Sequence, residues 1–149
     1  MNNTLLKQIK SIIEDETDLI ANLANISAVI NMNTEDINWV GFYLYKDDEL
    51  VLGPFQGNVA CTRLKEKGVC IHALKTNTIQ NIPDVNQFEG HVVCDANSKS
   101  ELVIPIYINN QPFAVLDIDS PIYNRFTQED EKMFYEIIQL LIKQMEPTI

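Results

Sequence analysis

Two cysteines and a group of acids are the side chains of this sequence best suited to chemistry. Cys94 lies in the polar segment between Gly90 and Glu101, and Cys70 precedes a short apolar stretch. A thiolate is a nucleophile, and a second thiol can condense with its oxidised form to give a disulfide. A free cysteine is nevertheless most often a small buried apolar residue. The chemical hypothesis therefore depends on the acids that accompany the thiols.

Asp117 and Asp119 stand two positions apart within an apolar run. Alternation along a strand gives them one face together with Phe113 and Val115, which predicts a pocket with an apolar floor, although exposure at a strand end is the alternative. Crowded carboxylates repel one another, so one of them should stay protonated near neutral pH. A neutral carboxylic acid can donate a proton to an oxygen while a thiolate attacks the atom bearing it. With Glu101 added, the residues indicate a thiol–acid redox site.

An aromatic strand supplies candidate walls for that site. Alternation over residues 37–45 puts Trp39, Gly41 and Tyr43 on one face and ordinary apolar residues on the other. Aromatic rings with polar atoms around a glycine suit a ligand wall. They are equally suited to packing beneath a helix, and the residues alone leave both interpretations open.

The elements that must position these side chains are helices at both ends of the chain and short strands between them. Apolar spacing predicts helix over residues 4–32, divided near the acidic patch 14–18 with Thr17 or Asp18 as a cap, and a last helix capped by Thr127. Strands are predicted at residues 37–45, 50–52, 59–64, 78–82, 102–108 and 113–120. This order predicts an α+β domain with helices packed on an antiparallel sheet.

Two irregular segments carry the cysteines in this scheme. Gly68 introduces a predicted short helix over residues 71–75, so Cys70 should lie near a helix N-terminus, where the helix dipole can lower a thiol pKa. The connection over residues 83–94 is long, and long connections in compact domains are commonly lids or binding loops. We expect this loop to cover the site.

Length and charge restrict the classes of function. The 149 residues fit one domain, spanning residues 1–149, and no apolar run or leader pattern predicts a membrane span or export signal. A net charge of −10, from 21 acids and 11 bases, disfavours binding to nucleic acids or anionic membranes. A cytoplasmic protein is expected.

The cysteine pattern disfavours a permanent framework of disulfides or zinc. Three cysteines, Cys61, Cys70 and Cys94, are an odd number, and any disulfide among them should be transient and catalytic. No closely paired cysteines occur, and the two histidines are His72 and His91, so no metal site is predicted.

Six short motifs resemble the GAF-domain free methionine-(R)-sulfoxide reductases, in the family's order, between about residue 17 and residue 143. They are Trp39-Val-Gly-Phe-Tyr43, Leu52-Gly-Pro-Phe-Gln-Gly57, Gly68-Val-Cys70, Gly90-His-Val-Val-Cys94-Asp-Ala, Ser100-Glu101 and Val115-Leu-Asp-Ile-Asp-Ser120. Val93 departs from relatives that often carry alanine, but it removes no functional side chain. The sequence is identified as a member of this family.

The resemblance implies a six-stranded antiparallel sheet between helices, a homodimer, and reduction of the free amino acid with thioredoxin as reductant and no cofactor. By resemblance, Cys94 is the nucleophile that attacks the sulfoxide sulfur, Cys70 the resolving thiol and Cys61 an auxiliary thiol. Glu101, Asp117 and Asp119 resemble the acids that hold the sulfoxide oxygen and the substrate ammonium, and Trp39 and Tyr43 resemble walls around the substrate.

Two other classes of function stay open on the residues. A GAF-type module could bind a small ligand or sense redox state without turnover. A structural or interaction protein could bury all three cysteines as inert core. Turnover of the free R epimer would distinguish the enzyme from the ligand-binding module. Unreactive thiols would favour the structural or interaction protein.

Overall fold

The chain folds as one antiparallel sheet flanked by helices, as seen in a computed structural model that describes residues 3–90 and 97–146. The helices are α1 (Asn3–Ile13), α2 (Leu19–Asn33), α3 (Val69–Thr76) and α4 (Gln128–Met145). The strands are β1 (Trp39–Lys46), β2 (Glu49–Gly57), β3 (Arg63–Leu64), β4 (Gln80–Ile82), β5 (Ser100–Ile108) and β6 (Gln111–Ser120). The six strands lie in the order β3-β2-β1-β6-β5-β4. The predicted α+β class and the six-stranded antiparallel sheet are confirmed.

One face of the sheet forms the larger core with α1, α2 and α4. Alternate residues of the central strands, such as Phe42, Ile104 and Leu116, are fully buried there against helix residues such as Ile30 and Phe134. The period of two along each strand turns these side chains to one face, as the sequence predicted. The opposite face is thereby left for α3 and the candidate site.

Local signals in the sequence define the ends of the long helices. Asp18 caps α2, because its Oδ1 accepts a hydrogen bond of 2.9 Å from the backbone N–H of Ala21. Thr127 and Asp130 form a reciprocal capping box at the start of α4. The predicted break between α1 and α2 and the predicted cap of α4 are confirmed.

Two tight turns join the strand pairs that frame the site. Asp47 and Asp48 connect β1 to β2 with φ of 51° and 65°, and Asn109 and Asn110 connect β5 to β6 with φ of 52° and 62°. Asp and Asn tolerate this left-handed conformation better than other side chains, and two such residues in succession suit the twist of a hairpin.

The structure differs from the sequence prediction at three strands. β2 continues to Gly57 through an irregularity opposite Gly41, whereas its predicted end was Leu52. β3 is reduced to Arg63–Leu64, so Cys61 lies in the preceding loop. β5 begins at Ser100, so Glu101 belongs to a strand and not to a polar loop. These bounds depend on pairing with a neighbouring strand, and the residue pattern of a single strand carries no information about that pairing.

The helices carry no membrane-spanning segment within the described residues. Over 3–90 and 97–146, none of them is both long enough and apolar enough to cross a bilayer.

Candidate active site

Strand register gathers two of the predicted acids on the face opposite the helical core. In the ladder between β5 and β6, Glu101 pairs directly with Asp119, and Asp119 pairs on its other side with Trp39 of β1. Directly opposed residues of an antiparallel pair point to the same face, with Cβ atoms about 4.5–5.5 Å apart. Glu101, Asp119 and Trp39 therefore form one continuous row across three strands.

Asp117 occupies the next row on the same face, between Gly41 and Val103. Its side chain is 6 % exposed, and its Oδ1 accepts no hydrogen bond from any residue that the structure describes. Burial, together with the charges of Asp119 and Glu101, raises the pKa of Asp117 well above its usual value. The raised pKa favours the protonated form of Asp117, the direction that crowding of the carboxyl groups predicts.

Cys70 approaches these acids from α3, in the first turn of that helix. Its Sγ lies 3.9 Å from Oε2 of Glu101, at the long end of the range for a thiol donor, and the residue is 5 % exposed. Burial is the largest cause of a raised Cys70 pKa, and the charges of Asp117 and Glu101 add to it. The predicted lowering by the helix dipole is wrong, because burial of the thiol disfavours the thiolate and the acids beside it add to that effect.

Aromatic rings line the same face, as the alternation of β1 indicated. The Trp39 ring stacks on Tyr43 at 5.8 Å between centroids and on Phe55 at 5.2 Å. A Cβ on Gly41 would lie 2.3 Å from Cβ of Phe55, so only glycine permits this approach of β1 and β2. Sequence reasoning did not single out Phe55, although the Leu52–Gly57 motif contained it.

The two predicted wall residues also hold the loop that carries Cys61. Tyr43 Oη donates a hydrogen bond of 3.1 Å to the carbonyl of Cys61, and Trp39 Nε1 donates one of 3.1 Å to the carbonyl of Asn58. Burial, followed by the charge of Asp117, raises the pKa of Tyr43, so its phenol remains a donor. The two aromatic side chains thus connect the acid rows to the 58–61 loop.

The structure distinguishes two of the cysteines, Cys61 and Cys70. Cys61 is disulfide-bonded, whereas Cys70 is a buried free thiol. The roles of Cys70 as resolving thiol and of Cys61 as auxiliary thiol stay predictions, and an alternative assignment is proposed below. Cys94, the predicted nucleophile, lies outside the described residues, as does the last part of the 83–94 loop expected to cover the site.

One predicted member of the apolar floor lies elsewhere. Val115 belongs to the cluster around Trp39 and Tyr43, but Phe113 packs against the helical core. A register irregularity between Ile106 and Tyr107 in the β5–β6 ladder accompanies the change of face. A bulge adds a residue on one strand and so interrupts the alternation of faces.

One set of described side chains has donor atoms suited to a metal ion. A ligand atom from each of Cys70, Glu101 and Asp117 lies within 4.8 Å of the other two, and all three residues are buried. The sequence did not suggest this set, because its members come from α3, β5 and β6 and have no local spacing pattern.

The fold and this site define the class of protein. Residues 11–144 match the GAF domain family, and the chain belongs to that family. Within it, the chain is a member of the free methionine-(R)-sulfoxide reductase branch, as relatives with that name show.

Three of these relatives illustrate the likeness. The free methionine-R-sulfoxide reductase of Escherichia coli is 46% identical over 145 residues, covering 97% of this chain and 88% of its own. The structure of the reduced fRMsr of Staphylococcus aureus is 49% identical with a TM-score of 0.93, covering 95% of this chain and 93% of that one. The Neisseria meningitidis free methionine-R-sulfoxide reductase, solved in complex with its substrate, is 40% identical with a TM-score of 0.92, covering 95% and 86%.

Proposed function

We propose that this protein reduces free L-methionine (R)-S-oxide to L-methionine. The observation that carries the proposal is the buried Asp117 carboxyl, whose Oδ1 has no described partner and whose pKa is raised by burial. A protonated acid in a pocket can donate the proton that the sulfoxide oxygen needs before it is released as water. Relatives named as free methionine-R-sulfoxide reductases, including a substrate complex, support the choice of substrate.

The chemistry begins with attack of the Cys94 thiolate on the sulfoxide sulfur. The S–O bond of the substrate breaks as Asp117 protonates the oxygen, and the oxygen passes to the cysteine as a sulfenic acid. The substrate sulfur gains two electrons and leaves as methionine, while the sulfur of Cys94 loses two. Glu101 and Asp119, which share one row on the sheet, bind the substrate ammonium, and Trp39 forms a wall beside its methyl group.

We assign the resolving role to Cys61. Its thiol attacks the Cys94 sulfenic acid, so that a disulfide forms and water leaves. The disulfide-bonded state of Cys61 supports this assignment, and so do the hydrogen bonds from Tyr43 and Trp39 that position its loop. Cys70 is a poorer candidate, because burial and the adjacent acids raise its thiol pKa and leave little reactive thiolate.

The reductant, the cellular location and the assembly state are inferred from the same chemistry and from the family resemblance. Thioredoxin supplies two electrons through thiol–disulfide exchange and returns Cys61 and Cys94 to thiols. A reducing cytoplasm suits a catalytic disulfide that must be opened after each turnover. The resemblance further implies that the chain acts as a single GAF domain and assembles as a homodimer, which sedimentation analysis would test.

Coupled oxidation of NADPH, with thioredoxin and its reductase, tests the proposed activity on separated substrates. We expect turnover of free methionine (R)-sulfoxide and none of the S epimer or of a peptide containing methionine sulfoxide. No turnover of the free R epimer would overturn the proposal. Saturable binding of that epimer without turnover would instead favour a ligand-binding GAF module.

A further inference from the structure

Cys70 is the one nucleophilic group in the site for which the proposed reaction provides no task. It is a free thiol, 5 % exposed, and its sulfur lies 3.9 Å from a carboxylate oxygen of Glu101. Asp117 completes the group, with one ligand atom from each residue within 4.8 Å of the other two. A thiol between two buried carboxyl groups adds little to recognition of an ammonium group, which needs oxygen acceptors.

We propose that Cys70, Glu101 and Asp117 form a reversible binding site for a thiophilic divalent cation of the zinc and cadmium class. One sulfur and two carboxylate oxygens are donors that such ions accept, with water or substrate as a fourth ligand. When the ion binds, the Cys70 S–H proton is released and a metal–thiolate bond forms. No oxidant or reductant takes part in this step.

One of the three ligand-to-ligand separations is close to that of a tetrahedral site. Zn–S and Zn–O bonds of about 2.3 and 2.0 Å give ligand-to-ligand separations of about 3.3–3.5 Å in a tetrahedron. The 3.9 Å between Sγ of Cys70 and Oε2 of Glu101 exceeds this by a few tenths of an ångström. The other two separations lie within 4.8 Å, so side-chain rotations must bring these donors closer by up to about 1.5 Å.

The second observation that points to a cation is the unsatisfied oxygen of Asp117. Its Oδ1 is fully buried and accepts no hydrogen bond from the described residues. Buried polar atoms are nearly always paired, so an exception calls for a missing partner. The substrate can supply such a partner during turnover, and a cation can supply it between turnovers.

Competition with the substrate follows, and this part rests on the proposed function. The cation would use Glu101 and Asp117, the same carboxyl groups that the proposed reaction assigns to the substrate ammonium and to proton donation. A bound ion would also remove the acidic proton from the site. Zinc should therefore raise the apparent KM for methionine sulfoxide.

Direct binding is best measured in a Cys61→Ser/Cys94→Ser variant, where Cys70 is the only thiol. Titration with Cd²⁺ should produce the ultraviolet absorption of a cadmium–thiolate bond at one ion per chain, whereas Mg²⁺ should produce no signal. Adding Asp117→Asn or Glu101→Gln should weaken Cd²⁺ binding by about tenfold or more, because even changes around metal ligands cost about 10–100-fold. Glu14→Gln, an exposed acid outside the site, is the matched control and should leave the affinity unchanged.

Absence of the cadmium–thiolate band would overturn the proposal, as would equal affinity in the Asp117→Asn and Glu14→Gln variants. This measurement does not depend on turnover, so it stands even if the proposed activity fails. The competition is tested separately by methionine release from pre-reduced protein in the presence of Zn²⁺. We expect Zn²⁺ to inhibit Cys70→Ser less than the parent protein, when each rate is compared with its own zinc-free rate. Undiminished inhibition of Cys70→Ser would contradict the competitive role.

Discussion

Glu101 and Asp119 are direct partners in the antiparallel ladder between β5 and β6. Two acids in that relation repel each other, and a like-charged pair directly opposed on a sheet is destabilising. Asp117 lies two residues from Asp119 on the same strand face and is buried. Folding thus brings three carboxyl groups together at a cost in stability, which is typical of a site that binds a cation or transfers a proton.

The first prediction is that Asp117→Asn stabilises the protein at neutral pH. The folded-state pKa of Asp117 is raised above its unfolded value of about 3.9, so the folded chain binds more protons in the interval between the two. Stability should fall as pH rises through that interval in the parent protein, and less in the variant. Below about pH 4 the two proteins should converge.

Thermal unfolding across pH measures this effect. At pH 7, where the unfolded acid is ionised, loss of this titrating group should give a gain of about 1–3 kcal/mol and raise Tm by several degrees, at about 2–4 °C per kcal/mol. Asp15→Asn, at an exposed position, should leave the pH profile unchanged. A parallel shift of the Asp117→Asn curve at every pH would contradict the proposed titration.

The second prediction separates the three cysteines. With thioredoxin as reductant, Cys94→Ser should release no methionine, whereas Cys61→Ser should release about one per chain and then stall, because attack and resolution are separate steps. Cys70→Ser should continue beyond the first turnover. Counting methionine per chain by amino-acid analysis gives the answer. A stall in Cys70→Ser together with sustained turnover in Cys61→Ser would restore the resolving role to Cys70.

The third prediction concerns recognition of the free amino group. N-acetylation removes the substrate ammonium and leaves Glu101 and Asp119 without a cationic partner. Hydrogen bonds to charged groups contribute about 1.5–3 kcal/mol, so kcat/KM for the acetylated sulfoxide should fall by about 10–150-fold. An amide of the substrate carboxyl group, which keeps the ammonium, is the matched comparison. Equal loss for both compounds would remove the acids from ammonium binding.

The fourth prediction concerns the aromatic contacts that hold the Cys61 loop. Tyr43→Phe removes the hydrogen bond to the carbonyl of Cys61 and keeps the ring in its stack with Trp39. We expect disulfide formation to slow by up to about tenfold, since one hydrogen bond contributes about 0.5–1.5 kcal/mol, while the first methionine release changes less.

Disulfide formation and methionine release are separated by stopping the reaction at successive times and measuring free thiols and methionine in parallel. Tyr45→Phe is a close control, because Tyr45 lies on the same strand face two residues further along. Its hydroxyl is at the surface, 3.5 Å from Asp48. If methionine release slows in Tyr43→Phe and thiol loss keeps pace with it, Tyr43 acts on the substrate and not on the loop.

Several parts of the site could be read from the sequence because their causes are local. The alternation of β6 put Asp117 and Asp119 on one face, and the alternation of β1 did the same for Trp39 and Tyr43. Other parts of the site could not be predicted from the sequence, because strand pairing decides them. The extension of β2 brings Phe55 onto Trp39, and the irregularity in the β5–β6 ladder accompanies the turn of Phe113 toward the helices.

The sequence by itself determined the strand faces, the helix caps at Asp18 and Thr127, and the motifs that identify the family. Each of these depends on residues within a few positions of one another, through side-chain period, backbone dihedral preference or a capping hydrogen bond. Only the tertiary structure decided the state of the thiols. Cys70 meets Glu101, 31 positions away, and its pKa is raised by burial and by charges on two other strands, β5 and β6. These contributions oppose the effect expected from the helix dipole, and they favour the proposed assignment of the resolving role to Cys61.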